Sequence, residues 1–338
     1  MTKFILRRLL WMILVMFVVS VITFGLMRAV PGGPFSREKP LPQATLDALN
    51  AKYRLDEPLI VQYLVYMGDI VVPRIGPQTV PSADEDYLIE FQLPAIFGEN
   101  QSFKWVNFGP TYSARGRSVN DIFRENMPVS AQLGVAAFLV AVSIGIPLGV
   151  AAALNRNKWQ DFGAMGVSII GVSVPVIISA PVLQYLVGVQ WRILPVTGWG
   201  TLNHLILPAF TLGFASSALI ARLMRASLLQ VMNEDYIRTA RAKGVAESGV
   251  ITFHALKNGL LPVVTVLGPL FAALVTGTFV VETVFGVPGI GRYFVTAVQG
   301  RDYPVVMGTI LLYAGVLVIS NLLVDVVYAW LDPRIRFD

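Results

Sequence analysis

The sequence predicts an all-α membrane protein of about six transmembrane helices, with an external lobe between the first two. Three observations carry this prediction. Of 338 residues, 55% are hydrophobic and only 14% are charged, too apolar for an ordinary soluble domain. Apolar stretches long enough to cross a bilayer, about 20 residues each, recur along the chain. Basic residues, which give a net charge of +5, are shared unequally between alternate connecting segments.

The stretches fall at residues 9–27, 129–154, 163–189, 205–229, 260–284 and 305–330. Lys3, Arg7 and Arg8 ahead of the first make it look like a secretory signal. Its apolar run is longer than a usual signal core, and no small-x-small cleavage site precedes Pro31-Gly-Gly33, so it is expected to stay as the first span. The fourth stretch carries Arg222 and Arg225 near its end. Pro147, Pro175, Pro181, Pro208 and Pro269 lie within stretches, which membrane bundles tolerate because neighbours re-satisfy the freed backbone. Small residues, as in Gly134-Val-Ala-Ala137 and from Gly145 to Gly149, allow close helix contact.

With the N-terminus in the cytoplasm, inside segments carry Lys3, Arg7, Arg8, Arg156, Lys158, Arg222, Arg225, Arg238, Arg241, Lys243, Lys257, Arg334 and Arg336. Short outside loops carry only Arg192, Arg292 and Arg301. This asymmetry predicts both termini inside. It also accounts for the basic balance without nucleic acid.

The chain then divides into residues 1–30 with the first span, an external lobe at 31–126, and a five-helix core at 127–338 that includes a cytoplasmic loop at 231–259. In the lobe, 45–54 and 58–71 have helical patterning, and Pro58 suits a first turn. Residues 73–81 read as a Pro- and Gly-bearing connection, and 87–93 and 103–108 as strands. The acidic run Asp84-Glu-Asp86 is a solvated turn or a cation site. In the loop, 235–243 reads as a short helix stopped by Gly244, and 247–256 as a second. Together they read as a polar knob hinged at Gly244, or as a surface loop that merely connects two spans.

Catalytic chemistry is missing. No Gly-Lys pair exists for a Walker-type phosphate loop, and the run Gly286-Val-Pro-Gly-Ile-Gly291 reads as a tight turn between the fifth and sixth spans. There is no cysteine, and His204 and His254 are the only histidines, so no metal centre, thiol catalysis or cofactor is expected. Among ionisable residues in or near the spans, Arg28 ends the first, Glu282 lies in the fifth and Asp325 in the sixth. Each carboxylate is a packing anchor or a proton site, and the second reading keeps an ion-coupled secondary carrier open.

The run Asp235-Tyr-Ile-Arg-Thr-Ala-Arg-Ala-Lys-Gly244, with His254-Ala-Leu-Lys-Asn-Gly-Leu-Leu-Pro262, resembles the ATPase-coupling loop of dipeptide and oligopeptide ABC permeases. Arg7-Arg8, Pro31-Gly-Gly-Pro-Phe35, Lys52-Tyr-Arg-Leu-Asp-Glu-Pro58, Val281-Glu-Thr-Val-Phe285, Pro288-Gly-Ile-Gly291, Arg301-Asp-Tyr-Pro304 and Asp332-Pro-Arg-Ile-Arg336 are similar to further stretches of that family. The resemblance is greatest to the B-type subunit of oligopeptide importers and covers most of the chain. Two features depart from the wider pattern: Arg238-Thr-Ala240 stands where ABC importers in general carry Glu-Ala-Ala, as the peptide subfamily tends to, and residues 71–105 are longer than the family's outer loop.

The resemblance implies a type I importer permease that forms half of a pathway and hydrolyses nothing itself. It implies a second homologous permease subunit, two ABC ATPase subunits that bind ATP and Mg, and an extracytoplasmic substrate-binding protein. Peptides lead as substrates, and nickel or oligosaccharides are alternatives. It assigns Asp235, Tyr236, Arg238, Thr239, Ala240, Arg241, Lys243 and Gly244 to ATPase coupling. Glu282, Pro288, Gly289, Gly291 and Arg292 fall in the outer gate, where Glu282 pairs with Arg292 or accepts backbone N–H groups.

Overall fold

The computed structural model describes residues 2–35, 42–77, 82–94, 96 and 100–331. The terminal Asp332–Arg336 resemblance, Arg334, Arg336 and residues 78–81 of the expected connection lie outside them. Four described helices are long and apolar enough to cross a membrane alone: Leu6–Ala29, Val119–Leu154, Leu202–Val231 and Tyr303–Tyr328. Two bent pairs, Trp159–Ser173 with Val176–Gln190 and Glu247–Gly259 with Leu261–Val275, bring the total to six if each pair is one span.

In chain order the helices are α1 (Thr2–Ala29), α2 (Gln43–Lys52), α3 (Leu59–Val71), α4 (Val119–Leu154), α5 (Trp159–Ser173), α6 (Val176–Leu183) and α7 (Leu202–Val231). Then come α8 (Asp235–Ala242), α9 (Glu247–Gly249), α10 (Leu256–Gly259), α11 (Leu261–Val275), α12 (Phe279–Phe285), α13 (Gly291–Gly300) and α14 (Tyr303–Leu331). Two π-helical stretches, Gln184–Gln190 and Val250–Ala255, continue α6 and join α9 to α10. The chain forms two compact units: Met1–Met12, Val129–Gly291 and Gly315–Asp338 make the first, Ile13–Pro128 and Arg292–Ala314 the second.

In the first unit α7 is central, with 56% of its most apolar window buried. It meets α4 through glycines. A Cβ on Gly149 would strike the Ala221 carbonyl at 2.5 Å, and one on Gly213 would strike the Ala137 carbonyl at 2.5 Å. Without a hydrophobic drive between helices in lipid, such close backbone approach supplies the dispersion contact that holds them. The charge near the end of this span is answered too. Asp161 of α5 binds Arg225 through two hydrogen bonds, Nε to Oδ1 at 2.6 Å and an outer guanidinium N–H to Oδ2 at 2.7 Å.

Two expected spans are broken for local reasons. Pro175 holds the preceding Val174 extended (φ −88°, ψ 112°), so α5 stops at Ser173 and its partner leaves at 104°. The stretch 260–284 does not run as one helix: α11 ends at Val275 and Gly277 takes φ +107°. A separate α12 follows. The run 286–291 therefore leads into α13 rather than directly into the last span.

The second unit carries α2, α3 and a three-stranded antiparallel sheet of order β1-β3-β2, with β1 Arg74–Pro77, β2 Ile89–Gln92 and β3 Gln101–Trp105. β1 was not expected, because Pro77 argues against a strand. At the sheet edge, however, a missing N–H is tolerated. β3 stops at Trp105, short of Phe108, because Val106 adopts φ +63°. Asp86 of the acidic run is not solvated. It is buried and binds Arg124 at 2.6 Å and the Ser118 hydroxyl, which anchors the run to the start of α4.

Candidate functional site

Two constellations gather the candidate residues, both in the first unit. The polar sequence after α7 forms α8, whose Ile237 and Ala240 are buried. They pack in one cluster with Met224, Leu228, Val250 and Ala255. Two apolar residues three apart share one face of a helix. Asp235, Tyr236, Arg238, Thr239, Arg241 and Lys243 are left exposed. Ala240 is therefore a seat for the helix rather than a contact surface. Phe253, 76% exposed, adds an apolar side chain to the same projecting segment.

The knob is tied behind its exposed face. The Asn258 side-chain amide donates to the Tyr236 hydroxyl at 2.7 Å. Gly244 takes φ +77° with open space where a Cβ would lie, so conformation rather than crowding selects glycine. The amide of Val245 returns to the Ala240 carbonyl at 3.2 Å, closing the helix end. Arg241 donates twice to Glu247, at 3.1 and 2.7 Å. That pair bridges Gly244 from α8 to α9, holds the Arg241 pKa above its ordinary value, and makes the joint stiffer than a bare glycine hinge.

The second constellation centres on Glu282, 1% exposed in α12. One carboxylate oxygen accepts the Ser130 hydroxyl at 2.7 Å and the Thr278 amide at 3.1 Å. The other accepts the Gly291 amide at 2.8 Å. The Ser130 oxygen in turn accepts the Ile290 amide at 2.8 Å. One carboxylate thus joins α4, the start of α12 and the start of α13. Gly291 has no room for a side chain: a Cβ there would meet the Phe279 amide nitrogen at 2.8 Å and Glu282 Oε2 at 2.9 Å. At Gly289 it would collide with the same carboxylate and with Ser130. Pro288 shapes the turn, where the Gly289 amide returns to the Val287 carbonyl at 2.8 Å.

Of the two partners expected for Glu282, the backbone N–H groups are present. Arg292 is exposed and lies 5.1 Å from the ring of Tyr293. Ser130 and Thr278 escaped sequence reasoning, since a lone serine 152 positions from Glu282 carries no local signal. Asp325, within the last span, binds Arg8 at 2.7 Å. Among the described residues no group of His, Cys, Asp and Glu could hold a metal ion.

The chain is similar along its length to known transport proteins. The family described as "Binding-protein-dependent transport system inner membrane component" matches residues 145–337, and its N-terminal companion matches residues 1–83. The dipeptide transport system permease protein DppB of Bacillus subtilis is 38% identical over 99% of this chain and 98% of its own. The oligopeptide transport system permease protein OppB of Salmonella typhimurium is 39% identical over 100% of both chains. The MetNI methionine ABC transporter, solved in inward-facing conformations, shares the fold. Its TM-score is 0.52 at 18% identity, covering 62% of this chain and 96% of that one.

Proposed function

We propose, from the premise that this chain belongs to the family of binding-protein-dependent transport system inner membrane components, that it is a permease subunit of an ATP-driven importer of dipeptides or oligopeptides. The observation that carries the reading is end-to-end similarity to dipeptide and oligopeptide permeases, at 38–39% identity with nothing large left over on either side. The pathway is completed by a second homologous permease, and two ABC ATPase subunits bind ATP and Mg. An extracytoplasmic binding protein delivers the substrate to a lobe at residues 31–126 on the outer side.

The chain has no phosphate loop, so energy reaches it mechanically. In this reading α8 seats in a groove of an ATPase subunit. Its Ile237 and Ala240 anchor transmits the movement to α7 and the α9–α10 segment, because all share one packed cluster. ATP binding biases a two-state bundle from a distance. The Glu282 clamp holds the outer gate: it ties α4 and the starts of α12 and α13 to one carboxylate, so they move together.

A secondary carrier would need a carboxylate that trades protons. Glu282 already receives three donors and Asp325 is held by Arg8, which favours structural roles for both. The test is uptake of labelled tri-alanine by proteoliposomes holding the assembled complex and its binding protein. ATP-dependent uptake is the expected result. Uptake driven by a proton gradient without ATP, and lost in Glu282→Gln, would replace this reading with the carrier. Uptake of nickel or oligosaccharide in place of peptide would keep the permease and change the cargo.

A further inference from the structure

The second unit encloses a cavity of about 420 Å³, within the range of small-molecule sites. Arg28, in the last turn of α1, lies against it. Its guanidinium sits 5.3 Å from the ring centre of Phe24 and 4.9 Å from that of Tyr303, so two aromatic faces hold the cation in place. Its Nε is buried without a hydrogen-bond partner, and no carboxylate pairs with it among the described residues. A guanidinium has five donors and a geometry suited to carboxylate or phosphate.

Gln62 lines the same cavity and is only 8% exposed. Its amide nitrogen donates to the Leu55 carbonyl at 3.2 Å and the Glu57 carbonyl at 2.7 Å, which fixes which end is which. Its Oε1 is left buried without a donor. An unmet donor and an unmet acceptor in one cavity each carry a desolvation cost that a partner would remove, and so point to an absent partner. The charges around them are unequal: Lys52 and Arg54 reinforce the cationic side, while Asp69 is engaged by Arg74. Burial raises the Asp69 pKa despite Arg74 and Arg54 nearby. Burial also raises the phenol pKa values of Tyr66 and Tyr112, which keeps them as neutral donors. Asp84, exposed at the same cavity, is placed to receive a cation.

We propose that this cavity binds a small zwitterion, its anionic group on Arg28 and its ammonium or amide N–H on Gln62 Oε1. Two sources carry that pair of groups: a short peptide, and an ethanolamine phospholipid headgroup. The peptide source rests on the import reading above, and the lipid source does not.

The test uses the full-length chain with its membrane partners in phosphatidylcholine nanodiscs, without the soluble binding protein. Phosphatidylcholine can offer its phosphate to Arg28 but has no N–H donor for Gln62 Oε1, so it competes with only half of the proposed contacts. In one arm tri-alanine and its C-terminal amide are titrated calorimetrically. In the other, retained phosphatidylethanolamine is counted by native mass spectrometry. Arg28→Gln is expected to weaken whichever ligand binds by about tenfold or more, Arg28→Lys to restore part of it, and the exposed Lys52→Gln to cost about threefold. If tri-alanine is the ligand, amidating its carboxylate should cost about tenfold on the wild type and nothing further on Arg28→Gln. That coupling cannot come from a folding defect. Retention of phosphatidylethanolamine alone, lost in Arg28→Gln, would establish the site with a lipid occupant. Failure of both ligands, or Arg28→Gln affinities within about twofold of wild type, would overturn the site. ATP-driven peptide uptake is measured separately, so loss of the site leaves the import reading standing.

Discussion

Single residues in this chain act through what they hold together. Glu282 accepts three hydrogen bonds from three elements, and Gln in its place would aim an NH2 at groups that are themselves donors. Glu282→Gln is therefore expected to destabilise the assembled permease by about 1–3 kcal/mol, seen as a lower unfolding temperature, and to loosen substrate stimulation of the partner ATPases. Gly291→Ala should cost a similar amount through overpacking, since backbone lies within 3 Å of the new methyl. A wild-type melting profile in both variants would remove the clamp. Asp161 makes the complementary case. It is buried, whereas the Arg225 side chain is 26% exposed. Asp161→Asn should thus cost at most about 3 kcal/mol rather than the full penalty of an uncompensated buried charge.

At the scale of elements, α8 is the clearest device. Its two buried residues fix its pose, its exposed face is polar, and Gly244 ends it with positive φ. Gly244→Val would force a β-branched residue into that region at a cost of about 1–3 kcal/mol. Lys243→Ala removes one exposed charge worth at most about 1 kcal/mol. Gly244→Val should therefore depress substrate-stimulated ATPase activity more than Lys243→Ala, while pull-down still recovers the ATPase subunits. Normal stimulation in Gly244→Val would sink the route of energy transfer through this joint. Glu247→Gln separates hinge from strut: if the Arg241–Glu247 bridge stiffens the joint, its loss weakens stimulation although every residue assigned to ATPase coupling is kept.

For the whole molecule the open quantity is orientation. The charge asymmetry predicts both termini and α8 in the cytoplasm and residues 31–126 outside. The chain has no cysteine, so single cysteines report cleanly. Ser82→Cys and Ser248→Cys both fall at exposed positions. The first should react with an impermeant maleimide added to intact cells and the second only after permeabilisation; the reverse pattern would invert the topology. Deleting residues 71–105 would be a blunter probe than it looks from sequence. It removes β1, β2, β3 and Asp86, the partner of Arg124, and so is expected to disturb α4 as well as any docking of the binding protein.

What the sequence by itself determined are properties that are sums over short stretches. Apolar length marks the four unbroken spans and the two bent pairs, alternating charge predicts an orientation, and Pro175 or Gly244 sets its own local backbone. The absence of a phosphate loop is equally legible, because such a loop is contiguous. What only the tertiary structure decided is partnership. Nothing local in the sequence pairs Glu282 with Ser130, 152 positions away, or with the amides of Thr278 and Gly291, which folding brings onto it. Arg225 weakened its span on paper until Asp161 was found beside it. Asp86 looked like part of a solvated turn until Arg124 and Ser118 were found around it. Each of these groups is ionisable, and its role depends on which donors packing brings within hydrogen-bond distance. Hydropathy and periodicity contain no term for that distance, so the partners of each ionisable group are set only when the chain has folded.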